Sequence, residues 1–185
     1  MENENPRRMD VDSRTVQRAL AGDQSALAYI YDTYAKPIYR YHHSRVGNAA
    51  DAEDLTSQTF MAVIEALPRY QHRNNFTAWI FQIARNKAMD HFRGNHRHGG
   101  IHESVADPAQ SDALEAVIKH ESHVRLKSIL HLLDEDEREL IRLRYTAELS
   151  FVEIAQMLGR KEDAVRKSIR RILDRLSIQM EAQNA

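Results

Sequence analysis

The sequence predicts an all-α protein: two small helical domains joined by a flexible linker, the C-terminal one a helix-turn-helix. Three observations predict this. Apolar residues recur at i, i+3, i+4 and i+7 along most of the chain, and no strand-like alternation of useful length occurs. A stretch over 94–112 containing Gly94, Gly99, Gly100 and Pro108, with several polar residues, interrupts that periodicity. Beyond it come a capped short helix, a glycine turn and a basic amphipathic helix in succession. The 185 residues suit two small domains. Their expected extents are 10–94 and 123–180, with 95–122 between them.

In the first domain, Leu27, Ile30, Tyr31, Tyr34, Ile38 and Tyr41 form one apolar helical stripe. Pro37 lies within it, which predicts a kink or a break. A second helix is expected to start at Asp51, whose carboxylate suits a cap, with Glu53 and Asp54 at the positive end of the dipole. Phe60, Ile64 and Leu67 continue its expected buried face, and Pro68 follows its end. A third helix is expected over about 77–92. Phe76, Trp79, Ile80, Ile83 and Ala84 share its register, which assigns Trp79 to the core.

Helical pattern returns with Leu114, Val117 and Ile118 and persists to Met180. Asp134 suits a cap for the helix that follows it, and the carboxylates over 134–137 suit a helix start. Ser150 and Glu153 have capping-box spacing, in which each side chain satisfies a free N–H at the other's position. Phe151, Ile154, Ala155 and Leu158 then form a stripe, and Gly159 stands where a left-handed residue ends a helix. The next helix begins near Glu162. Val165, Ile169, Ile172 and Leu176 make its apolar face, and Arg166, Lys167, Arg170 and Arg171 the opposite one.

The formal net charge is −1, which by itself argues against a nucleic-acid partner. Local charge argues for one. Residues 160–175 hold seven basic side chains against three acidic ones. A major groove admits such a helix; Arg can read guanine edges, and Lys or Arg can neutralise phosphates.

Composition narrows the remaining classes. Charged residues at 29% and hydrophobic residues at 42% exclude a disordered chain and a membrane protein. No apolar run is long enough to span a bilayer. Residues 1–10 are polar and lack the apolar core of a secretion signal, so a cytoplasmic protein is expected. With no cysteine, disulfides, thiolate metal sites and cysteine nucleophiles are excluded. His91, His96, His98 and His102 lie close together, but in a Gly-rich stretch without the fixed spacing of a zinc site. No phosphate-binding Gly loop or nucleophile motif occurs. Neither an enzyme nor a cofactor or metal is expected.

Several segments resemble a known family. The runs DAEDLTSQTF (51–60), ALPRY (66–70) and FTAWIFQIARNKAMDHFR (76–93) are similar to region 2 of the extracytoplasmic-function sigma factors, within the sigma-70 family. AGD (21–23) and YRY (39–41) fit upstream. ERELIRLRY (137–145) and LSFVEIAQMLG (149–159) resemble region 4.

The resemblance implies a factor that binds core RNA polymerase, directs it to promoters and helps open the DNA. It implies that Glu53, Asp54, Gln58 and Glu65 face the clamp helices of the largest polymerase subunit, with the flap of the second subunit as a further contact. An acidic and amide face suits a basic partner. The resemblance also assigns the −10 element to Tyr70, His72, Arg73, Asn74 and Asn75, with Arg85, Asn86 and Lys87 on the next helix. Amides, aromatics and cations there suit an unstacked base and its backbone. The 70–75 loop lacks the Gly and acidic residues common in the family. The −35 element falls to Arg166, Lys167, Arg170 and Arg171. An anti-sigma factor is a further partner that the resemblance admits. From the residues alone, a stand-alone helix-turn-helix regulator remains the alternative, and a pure interaction protein a third class.

Overall fold

The computed structural model describes residues 11–71, 75–95 and 132–183, and among these the regular structure is helical throughout. The expected linker, with its histidines His96, His98 and His102, lies outside them, as do His72, Arg73 and Asn74. So do Leu114, Val117 and Ile118.

Helix α1 (Ser13–Leu20) is capped by Asp12, whose carboxylate accepts from the Thr15 N–H at 2.7 Å. Helix α2 (Gln24–Val46) starts on Asp23, which accepts from Ser25 and Ala26. It ends at Gly47, held at φ 78° in the left-handed region, where a side chain would be strained. Of the kink or break expected at Pro37, the break does not occur: α2 runs through it. Pro37 cannot donate to the Thr33 carbonyl, but Tyr34, Pro37, Ile38 and Tyr41 are all buried. Packing of that face offsets the missing bond.

Helix α3 (Ala49–Ala66) begins two residues before the expected start. Its cap is Asn48, not Asp51. The Asn48 amide oxygen accepts from the Asp51 N–H at 2.8 Å, and its NH₂ donates to the Asp51 carboxylate at 2.7 Å. Asp51 is therefore the reciprocal partner in the first turn. The buried face of α3 runs through Ala52, Leu55, Thr56, Thr59, Phe60 and Val63. Ile64, expected on that face, is 58% exposed because Val63 holds the inward position. Tyr31 is also exposed, and its ring lies against Phe60 at 4.7 Å between centroids. A short 3₁₀ turn, Leu67–Arg69, includes Pro68.

Helix α4 (Phe76–Asn95) is longer than expected at both ends. The Asn75 side chain accepts from the Ala78 N–H at 2.9 Å and caps it. Trp79 is half-buried and packs with Tyr70 and Phe76, as its place in the apolar stripe predicts.

The C-terminal unit opens with α5 (Glu135–Ile141), started by a full capping box between Asp134 and Glu137. A π-helical turn, Arg142–Thr146, follows. Then come α6 (Phe151–Leu158) and α7 (Glu162–Gln183). Both the Ser150–Glu153 capping box and the left-handed Gly159, at φ 63°, are present as the sequence predicts. Val165, Ile169, Ile172 and Leu176 are buried under α7.

The two units pack against each other. The π-helical turn meets α2, and α6 meets α4. One continuous apolar cluster contains Tyr41 and Phe81 from the first unit and Leu143, Leu149 and Ile154 from the second. At 185 residues, each unit alone has a thin core, so this shared burial matters to stability.

Candidate nucleic-acid interface

The basic face begins with the turn that presents it. The capping box fixes where α6 starts, and Gly159 lets the chain reverse within a few residues before α7. With the apolar side of α7 buried, Arg166, Lys167, Arg170 and Arg171 are all exposed. Arg166 pairs with Glu162 one turn earlier at 2.5 Å. Its guanidinium also lies 4.5 Å from the centroid of the Phe151 ring, and Arg144 lies 4.3 Å from the same ring. Two cations thus share one aromatic. Arg144 is tied further to the Leu149 carbonyl at 2.9 Å. Arg160 donates to Ser168 across the turn. The result is an exposed, ordered cationic surface on a helix of groove-compatible width.

A second polar surface lies on the first unit. Tyr70 is half-buried against Phe76 and Trp79, and burial pushes its phenol above the usual range. Asn75 uses its oxygen to cap α4 and its NH₂ to donate to Gln156 of α6. Arg85 points at α5, with its Nε 3.4 Å from Glu139. Asn86 is exposed and accepts from Gln82, and Lys87 is half-buried. Tyr70 and Asn75 stand at the start of α4 and Arg85, Asn86 and Lys87 about two to three turns further along it, and Asn75 and Arg85 are engaged by the C-terminal unit.

A third surface is the outer face of α3. Glu53, Asp54, Gln58 and Glu65 are all exposed, and Gln58 donates to Asp54 at 2.7 Å. Met61 and Ile64 stand out among them, 63% and 58% exposed. This face combines acids, an amide and two large apolar groups, the composition of an interface core with a polar rim.

Known proteins share this architecture. The Sigma-70 region 2 model matches residues 30–98, and the Sigma-70 region 4 model matches 129–177. The chain is 32% identical to the ECF RNA polymerase sigma factor BldN of Streptomyces coelicolor, over 82% of its own length and 59% of BldN's. It is likewise 32% identical to the ECF RNA polymerase sigma factor SigD of Mycobacterium tuberculosis, over 87% of its own length and 80% of SigD's. The chain belongs to the ECF sigma factor family. Its fold agrees: CnrH, solved in complex with the cytosolic domain of CnrY, superimposes with a TM-score of 0.70 at 25% identity. That match covers 94% of this chain and 99% of CnrH.

This sigma factor therefore directs transcription initiation, and a stand-alone regulator is not favoured. Among its described residues, no helix is long and apolar enough to cross a membrane, and no group of three or more potential metal-binding side chains occurs. Sequence reasoning missed several residues at these surfaces. Met61 and Ile64 were hidden because apolar residues were read as inward. Phe151 lies outside the basic run, yet its ring takes the Arg166 guanidinium, and that of Arg144, in cation–π contact. Arg40 falls in the YRY run and Arg45 in none of the quoted runs, and neither signal says what they meet; only the folded chain sets them against Glu148, Glu135 and Glu139.

Proposed function

We propose that this sigma factor joins core RNA polymerase through the outer face of α3 and reads two promoter elements with its two units, over 10–94 and 123–180. Glu53, Asp54, Gln58 and Glu65, with Met61 and Ile64 between them, meet the polymerase clamp helices. The polymerase flap and an anti-sigma factor are the further partners. Tyr70, His72, Arg73, Asn74 and Asn75, with Arg85, Asn86 and Lys87, take the −10 element in its opened form. Arg166, Lys167, Arg170 and Arg171 take the −35 element as duplex. The protein acts in the cytoplasm and contributes binding energy rather than chemistry of its own.

The observation that carries this reading is the exposed cationic face of α7, set behind a capped turn and backed by a fully buried apolar face. Footprinting of the holoenzyme on a responsive promoter tests it. Arg170→Ala is expected to weaken −35 protection and to flatten the salt dependence of binding by about one counterion. Unchanged protection with an unchanged salt slope removes Arg170 from the contact set.

A further inference from the structure

Phe151 is the first residue of α6 after the Ser150 cap, so the capping box that fixes the helix start also fixes where its ring stands. The ring is half-buried and packs against the apolar core. It also meets two guanidiniums. Arg144, from the π-helical turn, lies 4.3 Å from the ring centroid and is itself tied to the Leu149 carbonyl at 2.9 Å. Arg166, one turn into α7, lies 4.5 Å from the same centroid. Its other contact is Glu162 on its own helix, at 2.5 Å. The two guanidiniums feel each other: burial first lowers the Arg144 pKa, and the Arg166 charge lowers it further, against Tyr145 and Glu153. The negative face of the ring offsets that repulsion by attracting both cations.

This anchoring sets Arg166 apart from its neighbours on α7. Among the described residues, Lys167, Arg170 and Arg171 make no ion pair and no cation–π contact, whereas Arg166 makes both. The three keep side-chain freedom that they must give up on binding; Arg166 has already given it up. A phosphate accepts from a cation in many orientations. A guanine edge takes a guanidinium fork in one plane. An anchored fork therefore suits base reading, and unanchored cations suit the backbone.

We propose that Phe151 is a positioning residue for −35 recognition: its ring, pinned by the core and by Arg144, holds the Arg166 guanidinium at the angle that a base edge requires. The proposal rests on the reading of Arg166 as a −35 contact. It deepens that reading by assigning sequence discrimination to the one anchored cation of the basic face, with Phe151 acting through it.

The test uses the full chain assembled with core polymerase, a promoter that this holoenzyme transcribes, and the same template with its −35 element scrambled. Competition between the two templates gives the preference for the intact element. Phe151→Leu keeps an apolar side chain and loses the π face; it is expected to lower that preference about fivefold, the effect of one cation–π contact. Phe151→Tyr keeps the ring and is expected to retain the preference. A double-mutant cycle separates positioning from packing. In the Arg166→Ala background, Phe151→Leu is expected to change the preference less than about twofold, because the group it positions is gone.

A preference in Phe151→Leu equal to wild type overturns the positioning role and leaves the functional reading standing. So does a loss as large in the Arg166→Ala background as in the wild-type one, since Phe151 then acts by packing or by a DNA contact of its own. A loss in Phe151→Tyr equal to that in Phe151→Leu likewise overturns it, because the ring is then not what matters. An unchanged preference in Arg166→Ala alone overturns the reading of Arg166 as a −35 contact, and the positioning role with it. If Phe151→Leu does not fold, Phe151→Met makes the same comparison.

Discussion

The phenol of Tyr41, in the middle of α2, donates to the carboxylate of Glu139 in α5 at 2.7 Å, joining residues 98 positions apart inside the protein. Both are buried, and Arg45 donates to both of them. Burial first, and the negative charge of Glu139 second, push the Tyr41 phenol well above its usual range. Burial works against the charge on Arg45, but Tyr41 and Glu139 more than restore it. Tyr41 thus stays a protonated donor and Arg45 a cation at any working pH.

Removing that hydroxyl leaves one fewer donor on a buried carboxylate. Tyr41→Phe is expected to destabilise the protein by about 2 kcal/mol, the scale of a hydrogen bond to a charged group. Urea denaturation followed by far-UV circular dichroism reads this as a lower midpoint. A midpoint equal to wild type contradicts it.

His42, the next residue, gives a pH dependence. It is fully buried, its Nε2 lies 3.0 Å from the Thr59 hydroxyl, and burial, with the charge of Arg45 adding to it, lowers its pKa to about 4. The folded state therefore favours the neutral ring. Its contribution is fully present above the ordinary value of 6.5 and is lost as pH falls toward about 4. At about 1.4 kcal/mol per unit, the loss at the acid end is about 3 kcal/mol. Denaturation midpoints measured across that window are expected to fall, and His42→Gln to flatten the slope. Parallel slopes for wild type and variant contradict the assignment to His42.

The helix-turn-helix offers a local test. Ser150 accepts from the Glu153 N–H at 3.2 Å, and Glu153 accepts from the Ser150 N–H at 2.7 Å. Ser150→Ala is expected to cost about 1 kcal/mol by freeing one N–H at the start of α6. The same denaturation assay measures it. A neutral effect shows that solvent replaces the cap without loss.

The outer face of α3 separates binding from folding. Met61→Ser with Ile64→Ser changes two exposed side chains, so the denaturation midpoint is expected to stay within about 0.5 kcal/mol of wild type. Competition for core polymerase is expected to weaken tenfold or more. Unchanged competition removes this apolar pair from the polymerase interface.

What was legible in the sequence follows from which forces act locally. The capping box at Ser150–Glu153, Asp134 as the cap of α5, the left-handed Gly159 and the apolar face of α7 all depend on neighbours within a few residues. Their spacing alone predicts them. The expectations that failed depend on what lies across the core. Pro37 looked like a breaker because its lost bond is local, whereas its burial among Tyr34, Ile38 and Tyr41 is set by packing. Asn48 was passed over because Asp51 is an equally good cap by type. Ile64 and Tyr31 fit the apolar register but fall just outside the covered arc. The cluster around Glu139 was not legible, because its members are spread over three distant segments with no shared motif. The surface residues of α3 and α7 were legible as exposed, and their assignment to polymerase and to DNA remains a proposal.

The most direct test of the central claim is multi-round transcription from a promoter library with purified core polymerase, with and without this protein. Promoter-specific transcripts are expected only when the protein is added, arising from templates that share −10 and −35 elements. Active core that yields no specific transcript with the uninhibited protein contradicts the account.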